Sequence, residues 1–307
     1  MKGSFLIILA LIKLQVVFGE TIYNSQQIEE IIRNARPGHM ELDPKFQHMF
    51  DTNFFRTYNG SRIGGGGWEA EPYSRPYQVG LYVPTTTGTS FCGGSLIGPK
   101  TILTAAHCVM SSNGNAILVY LGAHNMPPLP SEGAILEFSM QFVMHPDFEI
   151  STVQNDVALV YLFTPVQETE RIKFIQLADD PSVNYLGREA SASGWGLAGD
   201  DATSQSPVLR EVTSTIISNV ACRMAYMGIV IRSNICLKGE EGRSTCRGDS
   251  GGPLVIDNKQ VGIVSFGTSA GCEVGWPPVF ARVTSYIDWI NENREPPSLK
   301  AAMEYKL

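Results

Sequence analysis

The sequence predicts an all-β fold, a sandwich or a barrel, closed by one helix near its C-terminal end. Short runs rich in Val, Ile, Leu, Tyr and Phe follow one another from Tyr77 onward, separated by clusters of Gly, Pro, Asn and Ser. Strands of this length and spacing pack sheet on sheet or close on themselves. The runs are residues 78–83, 91–97, 116–121, 135–143, 157–163, 253–256 and 261–266, and a polar, proline-containing stretch at 164–169 is placed to join two halves. The second observation is the pattern over 285–293. Ser285 stands at an N-cap position, Asp288 lies three residues on where a capping box places its acid, and Tyr286, Trp289 and Ile290 form an apolar stripe at helical spacing.

The chain has 307 residues, 43% of them hydrophobic and 17% charged, enough to bury a large core. Its formal charge of -7, with no cluster of Lys and Arg, argues against a nucleic-acid partner. At the N-terminus Lys2 precedes apolar runs at 5–12 and 16–18 and a small Gly19, the pattern of a signal peptide cut after residue 19. Lys13 interrupts the run, which falls short of the ~20 apolar residues that a membrane span needs. The expectation is a secreted, extracellular protein with no membrane span. Residues 20–62 are polar and mixed, with Pro37, Gly38 and Pro44 as breakers and a short helix expected over 26–33. Too poor in apolar residues to build a core, they read as a propeptide ahead of a main domain at 63–307. Cysteines stand at 92, 108, 222, 236, 246 and 272. In a secreted chain six favour three disulfides out of fifteen pairings, and without a Cys-x-x-Cys pair a zinc site is the weaker reading.

Three separated stretches carry the chemistry: "LTAAHCV" with His107, "QNDVALVYL" with Asp156, and "CRGDSGGPL" with Ser250. A serine hydroxyl is a poor nucleophile until an adjacent base takes its proton, and that base needs a third group to fix its tautomer. Taken singly, the histidine, one of five, and the aspartate say little. The glycines around Ser250 say more, because they let the backbone turn tightly enough for the N–H groups of Gly248 and Ser250 to point at one oxyanion. In this order, over residues 63–293, the three stretches resemble those of the chymotrypsin-type serine endopeptidases, and "GCEVGWP" at 271–277 resembles the arthropod digestive members.

The resemblance implies two packed six-stranded antiparallel β-barrels, at about 63–165 and 166–284, with the helix at 285–293 and a tail at 294–307. It implies Ser250 as nucleophile, His107 as general base and then acid, Asp156 as orienter of the histidine, and Gly248 with Ser250 as oxyanion donors. It selects the disulfides Cys92–Cys108, Cys222–Cys236 and Cys246–Cys272. No cofactor or metal is expected, since the calcium site of trypsin-type relatives begins with a carboxylate where this chain has Ala123.

The resemblance also gives a meaning to "SRIGGGGWEA". Removal of the N-terminal segment after Arg62 by a trypsin-like protease would free the Ile63 amine to fold inward and pair with Asp249, with the glycines as hinge. The family pattern has valine where Gly64 stands and one residue fewer before Ala70, so the new terminus is expected to be gripped more weakly than usual. Asn59-Gly60-Ser61 is a glycosylation sequon beside the cut. In this family the pocket floor lies six residues before the nucleophile, at Ser244, followed by Thr245, and Ser265, Phe266, Gly267 and Pro278 complete the substrate-binding set. With no carboxylate at the floor, burying a cation is costly, which favours cleavage after Phe, Tyr or Leu. Pro278, where the family usually has glycine, points instead to smaller residues and an elastase- or collagenase-like preference. The implied partners are protein or peptide substrates, the activating protease and protease inhibitors, with the enzyme a monomer. The competing class is a binding or regulatory homologue on the same fold, which usually lacks a triad member; this chain lacks none.

Overall fold

The computed structural model describes residues 67–112, 114–239 and 242–296, with the backbone of three short strands, Val16–Phe18, Thr21–Tyr23 and Ala35–Pro37. The helix expected over 26–33, Arg62 and Ile63, the Asn59 sequon and the end of the tail lie outside the described residues. Among the described residues no helix is long and apolar enough to cross a membrane.

Ala35–Pro37 adds in parallel to the strand Gly88–Leu96, and from residue 67 the chain continues with a two-residue strand, β1 (Trp68–Glu69). It then builds a first antiparallel sheet from β2 (Gln78–Thr85), β3 (Gly88–Leu96), β4 (Thr101–Thr104), β5 (Ile117–Leu121), β6 (Ile135–Ser139), β7 (Gln141–Met144) and β8 (Ala158–Tyr161), in the order β7-β8-β4-β3-β2-β5-β6. The single run expected at 135–143 is thus two strands. Its first part pairs with β5 and its second with β8, so the chain must turn a corner between them. It does so at exposed Met140, where the Ser139 hydroxyl donates to the Gln141 carbonyl at 3.0 Å. Because β6 and β7 are the two ends of the sheet and one residue apart, the sheet curls back onto itself.

The second half contains β9 (Gln176–Leu177), β10 (Glu189–Gly194), β11 (Arg210–Ile217), β12 (Asn234–Leu237), β13 (Pro253–Ile256), β14 (Lys259–Phe266) and β15 (Val279–Arg282). Six of these form a closed ring, β13-β10-β11-β12-β15-β14, with β14 pairing back to β13. β9 adds in parallel to β14, and β1 pairs with β11. The architecture is therefore mostly β, with one closed six-stranded barrel and one curled sheet.

Among the described residues two short helices stand besides the terminal one, α1 (Ala106–Val109) and α2 (Asn219–Ala225). The Ser218 hydroxyl caps α2 by accepting the Ala221 N–H at 3.1 Å. The terminal helix, α3, spans Ile287–Glu292 rather than 285–293. A 3-10 turn at Val283–Ser285 takes the chain off β15 first, so Ser285 ends that turn and does not cap the helix. Tyr286 and Ile290 are buried as the stripe predicts, in the core of the first half alongside Val160 and Leu162.

Three disulfides join Cys92 to Cys108, Cys222 to Cys236 and Cys246 to Cys272. Closing loops of this size stabilises each by about 3 kcal/mol.

The loop between β5 and β6 is organised by one buried carboxylate. Glu132 accepts the backbone N–H groups of His124, Asn125 and Leu129 and the Asn125 side-chain amide, at 2.9–3.0 Å. Burial alone would raise its pKa, but these hydrogen bonds outweigh that and hold the carboxyl below its ordinary range. Glu132→Ala should leave several donors unmatched and cost about 3 kcal/mol, seen as a melting temperature lower by roughly 6–12 °C. Because the folded pKa is depressed, the stabilisation is present above the ordinary carboxylate pKa and is lost as pH falls through the lowered one. The gap between parent and variant should therefore close in acid.

Candidate active site

His107 rides on the single turn of α1, and the neighbouring Cys108 is bonded to Cys92 of β3. Asp156 precedes β8 and follows Asn155, which adopts φ +56°. The Asp156 carboxylate is almost wholly buried and takes three donors: the His107 backbone N–H at 2.9 Å, the His107 Nδ1 at 2.8 Å, and the Ser265 hydroxyl at 2.6 Å. A carboxylate saturated in this way fixes the ring's orientation and leaves Nε2 as the nitrogen available for proton transfer. Ser265 belongs to β14 of the other half, so the bond also ties the halves together. The sequence placed Ser265 with substrate binding; its hydroxyl is turned to the aspartate.

Ser250 comes from the second half and is pressed against the first. The Gly93 N–H of β3 donates to the Ser250 carbonyl at 2.7 Å, one residue from Cys92 and its bridge to the His107 helix. Gly251 at φ +79° cannot be replaced here: a Cβ would lie 2.1 Å from Thr104 Oγ1 and 2.5 Å from the Gly93 carbonyl. Gly248 is at φ +97°, a conformation that L side chains rarely adopt.

Asp249 is buried behind this turn. One carboxylate oxygen accepts the Gly196 N–H and the other the Cys246 N–H, both at 2.8 Å. Burial pushes its pKa up to about 6, against the pull of those two hydrogen bonds and of the Arg210 charge. Gly194 and Gly196 make room for it, since a Cβ on either would fall within 2.7 Å of the carboxyl. A small cavity opens onto this group, lined among others by Ser244, Thr245, Gly196, Arg210 and Glu211. Gly67, the last residue of the glycine run, rests on the Glu211 backbone, and its carbonyl accepts from the Arg210 guanidinium. The chain just beyond the expected cut is thus moored at the rim of the Asp249 cavity.

Of the remaining substrate-binding candidates, Phe266 packs edge-on against Tyr226 at 5.5 Å, and a Cβ built on Gly267 would meet no atom within 4 Å. Pro278 leads into β15, and its carbonyl accepts the Leu237 N–H at 3.2 Å. Among the described residues two groups have the composition of metal ligands, Cys92 with His107 and Cys108, and Asp200 with Cys246 and Cys272. Both cysteines of each are in a disulfide, so neither offers a thiolate. Sequence reasoning missed the Ser265 bond to Asp156 and the contacts of Asp200 with Cys272 and Glu273. Both join residues far apart in the chain, and neither leaves a local signal.

A family model described as "Trypsin" matches residues 65–290. The chain is 42% identical to brachyurin of Leptuca pugilator over 226 residues, which is 73% of this chain and 96% of that protein. It is 38% identical to a chymotrypsin of Phaedon cochleariae, covering 75% and 81% of the two chains. It is also 38% identical to a collagenase of Hypoderma lineatum, covering 81% and 92%. A solved structure titled HL collagenase superposes with a TM-score of 0.67 at 38% identity, over 74% of this chain and 97% of that one. With the family model covering most of the chain, two sheets meeting at His107, Asp156 and Ser250, and relatives of this identity along nearly their whole lengths, the chain belongs to the trypsin family of chymotrypsin-like serine proteases and is a serine endopeptidase.

Proposed function

We propose that the chain is the secreted zymogen of a serine endopeptidase that cuts after Phe, Tyr or Leu through a Ser-His-Asp acyl-enzyme mechanism. Residues 1–19 direct secretion, 20–62 are the propeptide and 63–307 the protease. The observation that carries the mechanism is the Asp156 carboxylate, bonded at once to the His107 backbone, the His107 ring and Ser265.

Ser250 Oγ attacks the scissile carbonyl carbon as its proton passes to His107 Nε2. The oxyanion formed is met by the N–H groups of Gly248 and Ser250, and Asp156 stabilises the imidazolium. Collapse expels the amine, which leaves with the His107 proton. A water molecule then gives its proton to His107, attacks the acyl group and restores the serine. Activation is cleavage after Arg62 by a trypsin-like protease. From the moored Gly67, four residues reach back to Ile63, up to about 13 Å of extended chain, and the cavity in front of Asp249 opens beside that mooring. The Ile63 amine would there neutralise a carboxylate whose burial two backbone hydrogen bonds and the Arg210 charge offset only in part.

For specificity, the neutral Ser244 gives a substrate cation no partner, and the open space around Gly267 leaves its backbone accessible for strand pairing with an extended peptide. A second reading, preference for smaller side chains, is favoured by Pro278 and by the relatives named brachyurin and collagenase. Trypsin treatment of the secreted chain, sequencing of the new terminus and hydrolysis of matched peptides ending in Phe, Leu, Ala and Arg test these points together. The expected result is an Ile63 terminus and Phe or Leu turnover at least about tenfold above Arg. Turnover favouring Ala would select the second reading, and none above a Ser250→Ala blank would mean a binding homologue.

A further inference from the structure

Three loops of the second half, around 196–200, 246–249 and 271–273, are joined pairwise into a triangle. The loop after β10 holds Asp249 through Gly196 and reaches the nucleophile loop again through the Leu197 N–H, which donates to the Arg247 carbonyl at 2.8 Å. The nucleophile loop is bonded to the loop after β14 by Cys246–Cys272. The remaining side of this triangle is closed by Asp200. Its two carboxylate oxygens accept the Cys272 N–H at 2.6 Å and the Glu273 N–H at 3.2 Å, while the Asp200 N–H donates to the Glu273 carboxylate at 3.0 Å. Each acid thus caps the other's backbone, the reciprocal arrangement that gives a capping box its directionality. Gly271 is shaped to this partner, since a Cβ there would stand 2.4 Å from an Asp200 oxygen.

We propose that Asp200 is a positioning residue for specificity: by latching the wall at 266–273 to the loop that holds Asp249, it sets the width of the pocket above Ser244. The inference rests on the reading of Ser244 as the pocket floor. A disulfide alone fixes one point of the wall and leaves it free to pivot; the paired acids fix a second point about one residue away. Releasing that point lets the wall move outward, so a side chain that fills the pocket loses contacts that a small one never made.

The test uses the trypsin-activated enzyme and two peptides differing only in Phe or Ala before the cut. Asp200→Ala should lower kcat/KM for the Phe peptide about tenfold, mainly through KM, and change the Ala peptide less than about twofold, the scale on which pocket contacts discriminate. Asp200→Asn keeps an oxygen for the Cys272 N–H and should recover most of the preference, and Glu273→Ala, which removes the reciprocal bond, should fall between. Equal losses on both peptides, or an unchanged Phe-to-Ala ratio in enzyme whose melting temperature has dropped, would make Asp200 a structural brace only and overturn the proposal. A parent enzyme that is active but indifferent to Phe and Ala would instead sink the pocket reading itself, and the latch with it.

Discussion

Replacing Ser250 with alanine is expected to lower kcat by about a millionfold while leaving KM within roughly threefold. The size follows from what is lost. The variant keeps His107 and Asp156 in their bonded arrangement and keeps the backbone donors, so substrate still binds. It has no oxygen with which to form the acyl-enzyme, and only background hydrolysis helped by the oxyanion donors remains. Pre-steady-state hydrolysis by the activated enzyme would show this as loss of the acylation burst. The proposed mechanism has the three residues act as a unit, so adding His107→Ala to Ser250→Ala should cost almost nothing more. Asp156→Asn should cost about ten-thousandfold, since an amide facing Nδ1 favours the wrong tautomer. A Ser250→Ala enzyme with more than about a hundredth of parental kcat would remove the serine from the mechanism.

The second large effect concerns Asp249 and distinguishes the uncleaved chain from the cleaved one. In the described structure burial pushes this carboxyl up to about 6 from an ordinary 3.8. A folded pKa raised above its unfolded value means stability that is fully present below about 4 and lost as pH rises through about 6. For this buried group that corresponds to roughly 3 kcal/mol. The uncleaved chain should therefore melt at higher temperature near pH 4 than near pH 7, by an amount that Asp249→Asn removes. On the proposed activation the Ile63 amine would pair with the carboxylate and remove the penalty for ionising it, so the cleaved enzyme should lack this acid-side gain. The same substitution in the cleaved enzyme leaves the amine without its partner and should lower kcat by about 100- to 1000-fold, the scale of a disordered oxyanion hole. Melting curves of both forms from pH 4 to 8 decide it. Identical profiles for uncleaved parent and Asn variant would show that Asp249 does not carry the pH dependence.

Much of the first half was legible because its strands are bulky. Runs such as 78–83 and 116–121 announce themselves, and β13 lies where its apolar residues predict. The second half was harder to read for a physical reason. β10 is Glu-Ala-Ser-Ala-Ser-Gly, whose buried side chains are small, Ala190 and Ala192 among them, so it carries no hydrophobic signal despite a central place in the ring. In β11 the alternation is present, with Val212 and Ile216 buried, but Thr and Ser dilute it. The terminal helix was misplaced at its start because a serine followed three residues on by an acid also fits a turn that precedes a helix. The stretches around His107, Asp156 and Ser250 carried the family resemblance, and the disulfide pairing came from that resemblance, since the spacing of the cysteines left fifteen pairings open. The bonds of Ser265 and Asp200 were not legible, since their partners lie 109 and 72 positions away and depend on how the sheets are wrapped.

The two ends of residues 67–296 exchange sides. The strand Trp68–Glu69 belongs by order to the first half yet pairs with Arg210 and Glu211 of the second. The last helix follows the second half yet lies on the first, where Tyr161 donates to the Asn293 carbonyl and Thr101 to that of Arg294, each at 2.6 Å. No disulfide spans the halves, since one lies within the first and two within the second. The molecule is thus buckled rather than welded: two crossed straps brace the seam that the Asp156–Ser265 and Gly93–Ser250 bonds also cross. The proposed cut after residue 62 would fall outside the front buckle, so it would leave that strap fastened and the cleft unloosened.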